Sequence, residues 1–172
     1  MSMDTGFEAG VVLVETRELK RHGSDVLLEV VRSELERIHG VIRQVDSVRP
    51  NADVIAEHVA LLADQYTLHC VMTVGGSGLD PEDVAPDAMV QVIHRPTPGI
   101  AELLRARVSQ FNPEFVLTRG AAGTRGRTLI INLPDNPGDL GHCFEVLRPV
   151  LPAALRRLSA GVMQRTRQVR LL

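Results

Sequence analysis

Short apolar runs alternate with amphipathic segments along this chain, a pattern that predicts strands and helices packed in layers. Gly10 to Val14 reads as a buried first strand. Over 24–38, Leu27, Val31, Leu35 and Ile38 recur at helical spacing, with Ser24 placed to cap the start and Gly40 beyond the end. Val41 to Val48 predicts a second strand, and Asp53 to Asp64 a helix burying Ile55, Val59 and Leu62. Leu68 to Val74 predicts the third strand. Further on, the spacing predicts short helices over 86–94 and 99–111 and strands over 115–118 and 128–133. Asn136 reads as an N-cap with Pro137 as first helical residue. The last helix is expected to run to about Ala160 through Phe144, Leu147, Leu151, Leu155 and Leu158, bent by Pro149 and Pro152.

The third strand runs into Gly75-Gly76-Ser77-Gly78, and a carboxylate-rich stretch carrying Asp83 and Asp87 follows, with Pro86 placed to open a helix. Glycines let the backbone approach a ligand closely and aim several N–H groups at one spot, which suits phosphate or another anion. The C-terminal edge of a parallel sheet is also where open α/β folds bind ligands. Ser77 adds a hydroxyl, and the two aspartates offer oxygen ligands for a cation or polar ring. A glycine loop after a strand is a weak signal when it stands alone.

Composition narrows the classes. The 172 residues are 44% hydrophobic and 23% charged, enough for a globular core without staples. A net charge of −2, with no Trp and one Tyr, lacks the basic field and stacking platforms of nucleic-acid binders. Cys70 and Cys143 lie in apolar contexts and read as buried thiols of a reducing compartment. No run approaches the length of a membrane helix and the start lacks a signal-peptide pattern, so a cytoplasmic protein is expected. None of the histidines has neighbours at metal-ligand spacing, and no G-x-S-x-G elbow is present.

A second segment sharpens the first. Residues 117–137, Leu-Thr-Arg-Gly-Ala-Ala-Gly-Thr-Arg-Gly-Arg-Thr-Leu-Ile-Ile-Asn-Leu-Pro-Asp-Asn-Pro, resemble S-R-x-x-A-G-x-x-G-x-T-L-I-x-x-L-P-G-x-P. The earlier glycine segment is similar to G-G-T-G-x-x-x-x-D-x-T-P-E-A. Both motifs belong, in this order and spacing, to the MoaB/Mog family of molybdenum-cofactor biosynthesis proteins, the molybdopterin adenylyltransferases. The similarity runs from about Val11 to about Ala160.

The resemblance implies a three-layer α/β/α sandwich with a mostly parallel sheet, one domain over 1–172 with its core at 10–160, and homotrimers or hexamers. It implies a pocket for molybdopterin, whose terminal phosphate is adenylated from ATP with Mg²⁺, and a molybdate-inserting enzyme as partner. Carried over by position, Asp83 is the catalytic and metal-binding carboxylate. Gly75, Gly76, Ser77, Gly78, Asp87, Arg119 and Gly120 become ligand-binding residues. The chain also departs from the pattern. Pro50 stands where the family has the aspartate of a V-P-D segment, and only a rearranged loop would let Asp53 replace it. Val14-Glu15-Thr16 replaces V-S-D, Ala85 replaces a capping threonine, and Asp135 replaces a glycine. These departures leave a second function open, a non-catalytic molybdopterin carrier, and a third, a related domain turned to another phosphorylated ligand. The basic tail (Arg165, Arg167, Arg170) reads as a disordered end, a solvated helix end or a subunit contact.

Overall fold

A computed structural model of the chain describes residues 6–169, with side chains as far as residue 160. The elements in chain order are β1 (Phe7–Val14), α1 (Arg17–His22), α2 (Ser24–Glu36), β2 (Gly40–Val48), α3 (Ala52–Asp64), β3 (Cys70–Val74), α4 (Ala85–Val92) and β4 (Arg95–Pro96). They continue with α5 (Pro98–Val108), a 3₁₀ turn (Pro113–Leu117), β5 (Ala122–Arg125), β6 (Thr128–Leu133), α6 (Pro137–Leu147) and α7 (Val150–Val169). The strands form one sheet in the order β2-β1-β3-β6-β5-β4. The first four run parallel, while β5 and β4 are antiparallel to their neighbours. This is a mostly parallel α/β sheet, as the motifs implied.

Side-chain alternation along the central strands builds the layers. Val11 and Leu13, Met72 and Val74, and Ile131 and Leu133 face one side, where Leu27, Val31 and Leu35 of α2, Leu104 of α5 and Phe144 and Leu147 of α6 cover them. Val12 and Val14, Val71 and Ile130 face the other side, under Ile55, Val59 and Leu62 of α3 and Met89 of α4. Both faces of β3 and β6 are therefore buried, which is why those segments read as continuous apolar runs.

Several local expectations are corrected. Ser24 is the first residue of α2 rather than its cap; Gly23, at φ 92°, holds the cap position without a side-chain bond. The segment expected as a strand at 115–118 is the 3₁₀ turn, because Pro113 enters it after Asn112 and the Asn112 side chain accepts the Glu114 N–H. Pro149 separates two helices instead of bending one, and Pro152 falls in the first turn of α7, where no N–H is missed. Unforeseen elements are α1, capped by Thr16 through the Leu19 N–H, and the short strands β4 and β5. The tail side chains Arg165, Arg167 and Arg170 lie outside the described residues. Cys70 and Cys143 are free and buried, and burial pushes the Cys70 thiol up to about 12. Among the described residues no helix is long and apolar enough to cross a membrane.

Candidate active site

Three parallel strands deliver three loops to one place. The loops after β1, β3 and β6 meet at the C-terminal edge of the sheet, around a cavity of about 590 Å³. The glycine loop forms one wall. Gly75 and Gly76 take φ values of 97° and 70°, a backbone that L side chains rarely adopt. The Gly75 N–H is taken by the Leu133 carbonyl, whereas those of Gly76, Ser77 and Gly78 donate to no described residue. Ser77 and Gly78 line the cavity, so two amides following a left-handed turn are available to an anion there, whereas Gly75 and Gly76 do not line it. Gly75 is also overhung: a Cβ there would lie 3.0 Å from Asp135 Oδ2 and 3.1 Å from the Val14 carbonyl oxygen.

That overhang is a bridge between loops. The Thr16 hydroxyl donates to Asp135 Oδ2 at 2.8 Å, and the Arg17 N–H donates to Glu82 Oε2 at 2.9 Å. Thr16 is almost fully buried, and these two bonds together fix the β1–α1 loop against both neighbouring loops. On the opposite side Asn136 caps α6 through the Gly138 and Asp139 N–H groups, as expected from the Asn-Pro pair.

Asp83 lines the cavity with Ser77 and Gly78. Its Oδ2 accepts the Asp80 N–H at 2.9 Å, and a Cβ on Gly78 would come within 2.6 Å of that oxygen. Partial burial holds the Asp83 carboxyl above the usual aspartate range; the charges of Asp135 and Asp80 push the same way, while the Asp80 N–H and Arg119 oppose them. A carboxylate kept at a cost inside a cleft is a mark of a working site.

Arg119 and Asp87, also expected as ligand residues, bond to each other, and Arg119 bonds to the glycine loop as well. Neither lines the cavity. The Arg119 N–H donates to the Ser77 carbonyl at 2.7 Å and its Nε to the Gly78 carbonyl at 3.0 Å. Nη2 donates to the Asp83 carbonyl and, at 3.0 Å, to Asp87 Oδ2. The guanidinium therefore straps the glycine loop to α4, and it holds the Asp87 carboxyl below its ordinary range. Gly120 lies behind this strap, its carbonyl accepting Arg105 Nη1 at 3.0 Å. Ala85, expected at the capping position, is instead the first residue of α4, with Val84 at the cap and no side-chain bond there; the Ala85 N–H is satisfied by the Gly76 carbonyl and Pro86 has no N–H to satisfy.

The other carboxylates considered in the sequence fall elsewhere. Asp53 Oδ1 accepts Gln91 Nε2 at 3.1 Å, Glu15 accepts the Ser47 hydroxyl at 2.8 Å, and Pro50 does not line the cavity. Arg125 forms a two-pronged pair with Asp64 and does not line the cavity. Sequence reasoning missed Asp135, Asp139, Asp80, Glu82, Glu18 and Arg17, all of which line the cavity. The departure of Asp135 from glycine was visible, but its role depends on a partner 119 positions away.

The family model described as "probable molybdopterin binding domain" matches residues 10–153. The chain belongs to that family. It is 30% identical over 140 residues to a protein of Helicobacter pylori named molybdopterin adenylyltransferase, covering 81% of this chain and 76% of the relative. The Escherichia coli protein of the same name is 35% identical over 92 residues, 54% of this chain and 47% of that one. Among solved structures, the molybdopterin biosynthesis enzyme MoaB of Thermus thermophilus superposes with a TM-score of 0.82 at 33% identity, covering 90% of this chain and 97% of the other. A molybdopterin biosynthesis protein of Mycobacterium abscessus gives 0.81 at 29% identity, over 90% and 97%.

Proposed function

We propose that the protein works in molybdenum-cofactor biosynthesis by binding molybdopterin in the 590 Å³ cavity and adenylating its terminal phosphate with ATP. The observation that carries this reading is Asp83, half-buried beside the Ser77 and Gly78 amides in a cleft of ligand size. A substrate phosphate oxygen attacks the α-phosphorus of ATP, the bond from that phosphorus to its bridging oxygen breaks, and pyrophosphate leaves with the electron pair. Such a transfer needs alignment and charge neutralisation rather than a protein nucleophile. The amides of Ser77 and Gly78 hold a phosphate, and the Arg119 strap keeps them in place.

Magnesium fits the oxygen donors present. Among the described residues no group of three or more His, Cys, Asp or Glu side chains could cage a metal. Mg²⁺ needs only one or two carboxylates when substrate phosphates complete its shell, and Asp83 with Asp135 supplies that number. When bound it neutralises charge on the triphosphate. Trimer formation and delivery to a molybdate-inserting enzyme belong to the same reading.

Purified protein given molybdopterin and Mg-ATP should release pyrophosphate, and Asp83→Asn should lower the rate more than it lowers molybdopterin affinity. A second reading, binding without turnover, is favoured by Asp53 and Pro50 being absent from the lining of the cavity that Asp83 lines. Molybdopterin binding without any pyrophosphate above a protein-free control would select it.

A further inference from the structure

The cavity faces a charge problem. Seven carboxylates line it, yet the reading above brings in ligands that are themselves phosphate esters. Most of those acids have protein partners: Glu18 with His22, Glu82 with the Arg17 N–H, Asp83 with the Asp80 N–H, Asp135 with Thr16, and Asp139 with Asn112. Apart from Arg21, whose guanidinium lies 3.6 Å from Glu18, these partners satisfy lone pairs without cancelling charge, so a phosphate still meets a negative wall. Arg119, the arginine that the motif nominates, is occupied by two carbonyls and Asp87 and does not line the cavity.

Among the described residues one arginine or lysine does line it, Arg17. We infer that Arg17 is the specificity residue for the substrate phosphate, gripping it opposite the glycine-loop amides. This inference rests on the reading given under Proposed function. The main chain of Arg17 is fixed, its N–H on Glu82 and its neighbour Thr16 on Asp135 and on the Leu19 N–H. The residue is exposed and its guanidinium pairs with no carboxylate among the described residues, unlike Arg43, Arg119, Arg125 and Arg148. A planar fork on an anchored loop is well suited to phosphate oxygens, which it can engage with two parallel N–H bonds. Arg17 thereby distinguishes a phosphorylated from a phosphate-free ligand, a task the amides alone perform against surrounding negative charge.

The test is calorimetric titration of the unaltered chain, Arg17→Ala and Arg17→Lys with molybdopterin, ATP and adenosine, each with Mg²⁺. Loss of a charge-assisted pair predicts roughly 10- to 100-fold weaker binding of the phosphate ligand by Arg17→Ala. Arg17→Lys should recover part of it, and adenosine affinity should stay level in all three. Whether molybdopterin or ATP responds tells which phosphate Arg17 holds. Arg17→Ala binding both phosphate ligands within about twofold of the unaltered chain would overturn the inference while leaving the parent reading intact. Equal weakening of ATP and adenosine would also overturn it, by showing that Arg17 only supports the loop. An unaltered chain that binds neither molybdopterin nor ATP removes the parent reading, and Arg17's role with it.

Discussion

Replacing Arg119 by alanine separates a strap from a ligand contact. The side chain makes bonds to the Gly78 and Asp83 carbonyls as well as the pair with Asp87. The pair is substantially solvated, with side chains 41% and 53% exposed, so it contributes about 0.2–1 kcal/mol. Each carbonyl bond adds about 0.5–1 kcal/mol at this exposure, near the lower end of the usual range. Arg119→Ala should therefore cost about 1.2–3 kcal/mol, and Asp87→Ala only the pair's share, below about 1 kcal/mol. Urea denaturation at neutral pH measures both, with an unchanged m-value showing that the unfolded states are comparable. Amide hydrogen exchange should rise at 78–85 in Arg119→Ala and much less in Asp87→Ala, because the loop's attachment to the carbonyls survives in the latter. If Arg119→Ala costs no more than Asp87→Ala and exchange at 78–85 is unchanged, the strap is wrong and Arg119 is free to serve a ligand directly.

Other consequences follow from single contacts. Asp83 has a folded-state pKa above its unfolded value, so its ionised form opposes folding; the penalty is fully present at neutral pH and is relieved as pH falls through the folded pKa. Asp83→Asn should thus stabilise the fold at pH 7, with the advantage closing toward acid in denaturation midpoints measured across pH; an equal or growing advantage in acid would contradict burial as the cause. Asn136→Ala removes the acceptor for the Gly138 and Asp139 N–H groups and should cost about 1 kcal/mol by the same denaturation, with a null effect denying the cap. Cys70 and Cys143 should resist iodoacetamide until the chain unfolds, since both are buried and their thiols are raised; rapid labelling of the native protein would refute that burial.

The α/β order and the glycine loop at the end of β3 were legible because they are local. The apolar runs of Val11 to Val14 and Leu129 to Leu133 encode buried strands, and the helical stripes of α2, α3 and α5 encode their buried faces. The Asn136-Pro137 start of α6 is likewise written in adjacent residues. The two motifs then pointed to the edge where Asp83, Ser77 and Gly78 line one cavity. The strand expected at 115–118 failed because apolar Phe115, Val116 and Leu117 match a strand in composition, while Asn112 and Pro113 set the turn.

What the chain could not disclose by itself is who faces whom. Arg119 follows an anion-binding pattern in one dimension, yet its length and position let it reach carbonyls of a loop some 41 residues earlier. Asp135 looks like a tolerated turn residue until Thr16 is brought against it by the parallel packing of β1, β3 and β6. Arg17 is one arginine among many until the sheet edge sets it among acids. Periodicity and capping act over a few bonds, so sequence alone determines the elements and the glycine turn. Charge pairing acts through space, and only the tertiary structure decided which cation straps the loop and which one looks into the cleft.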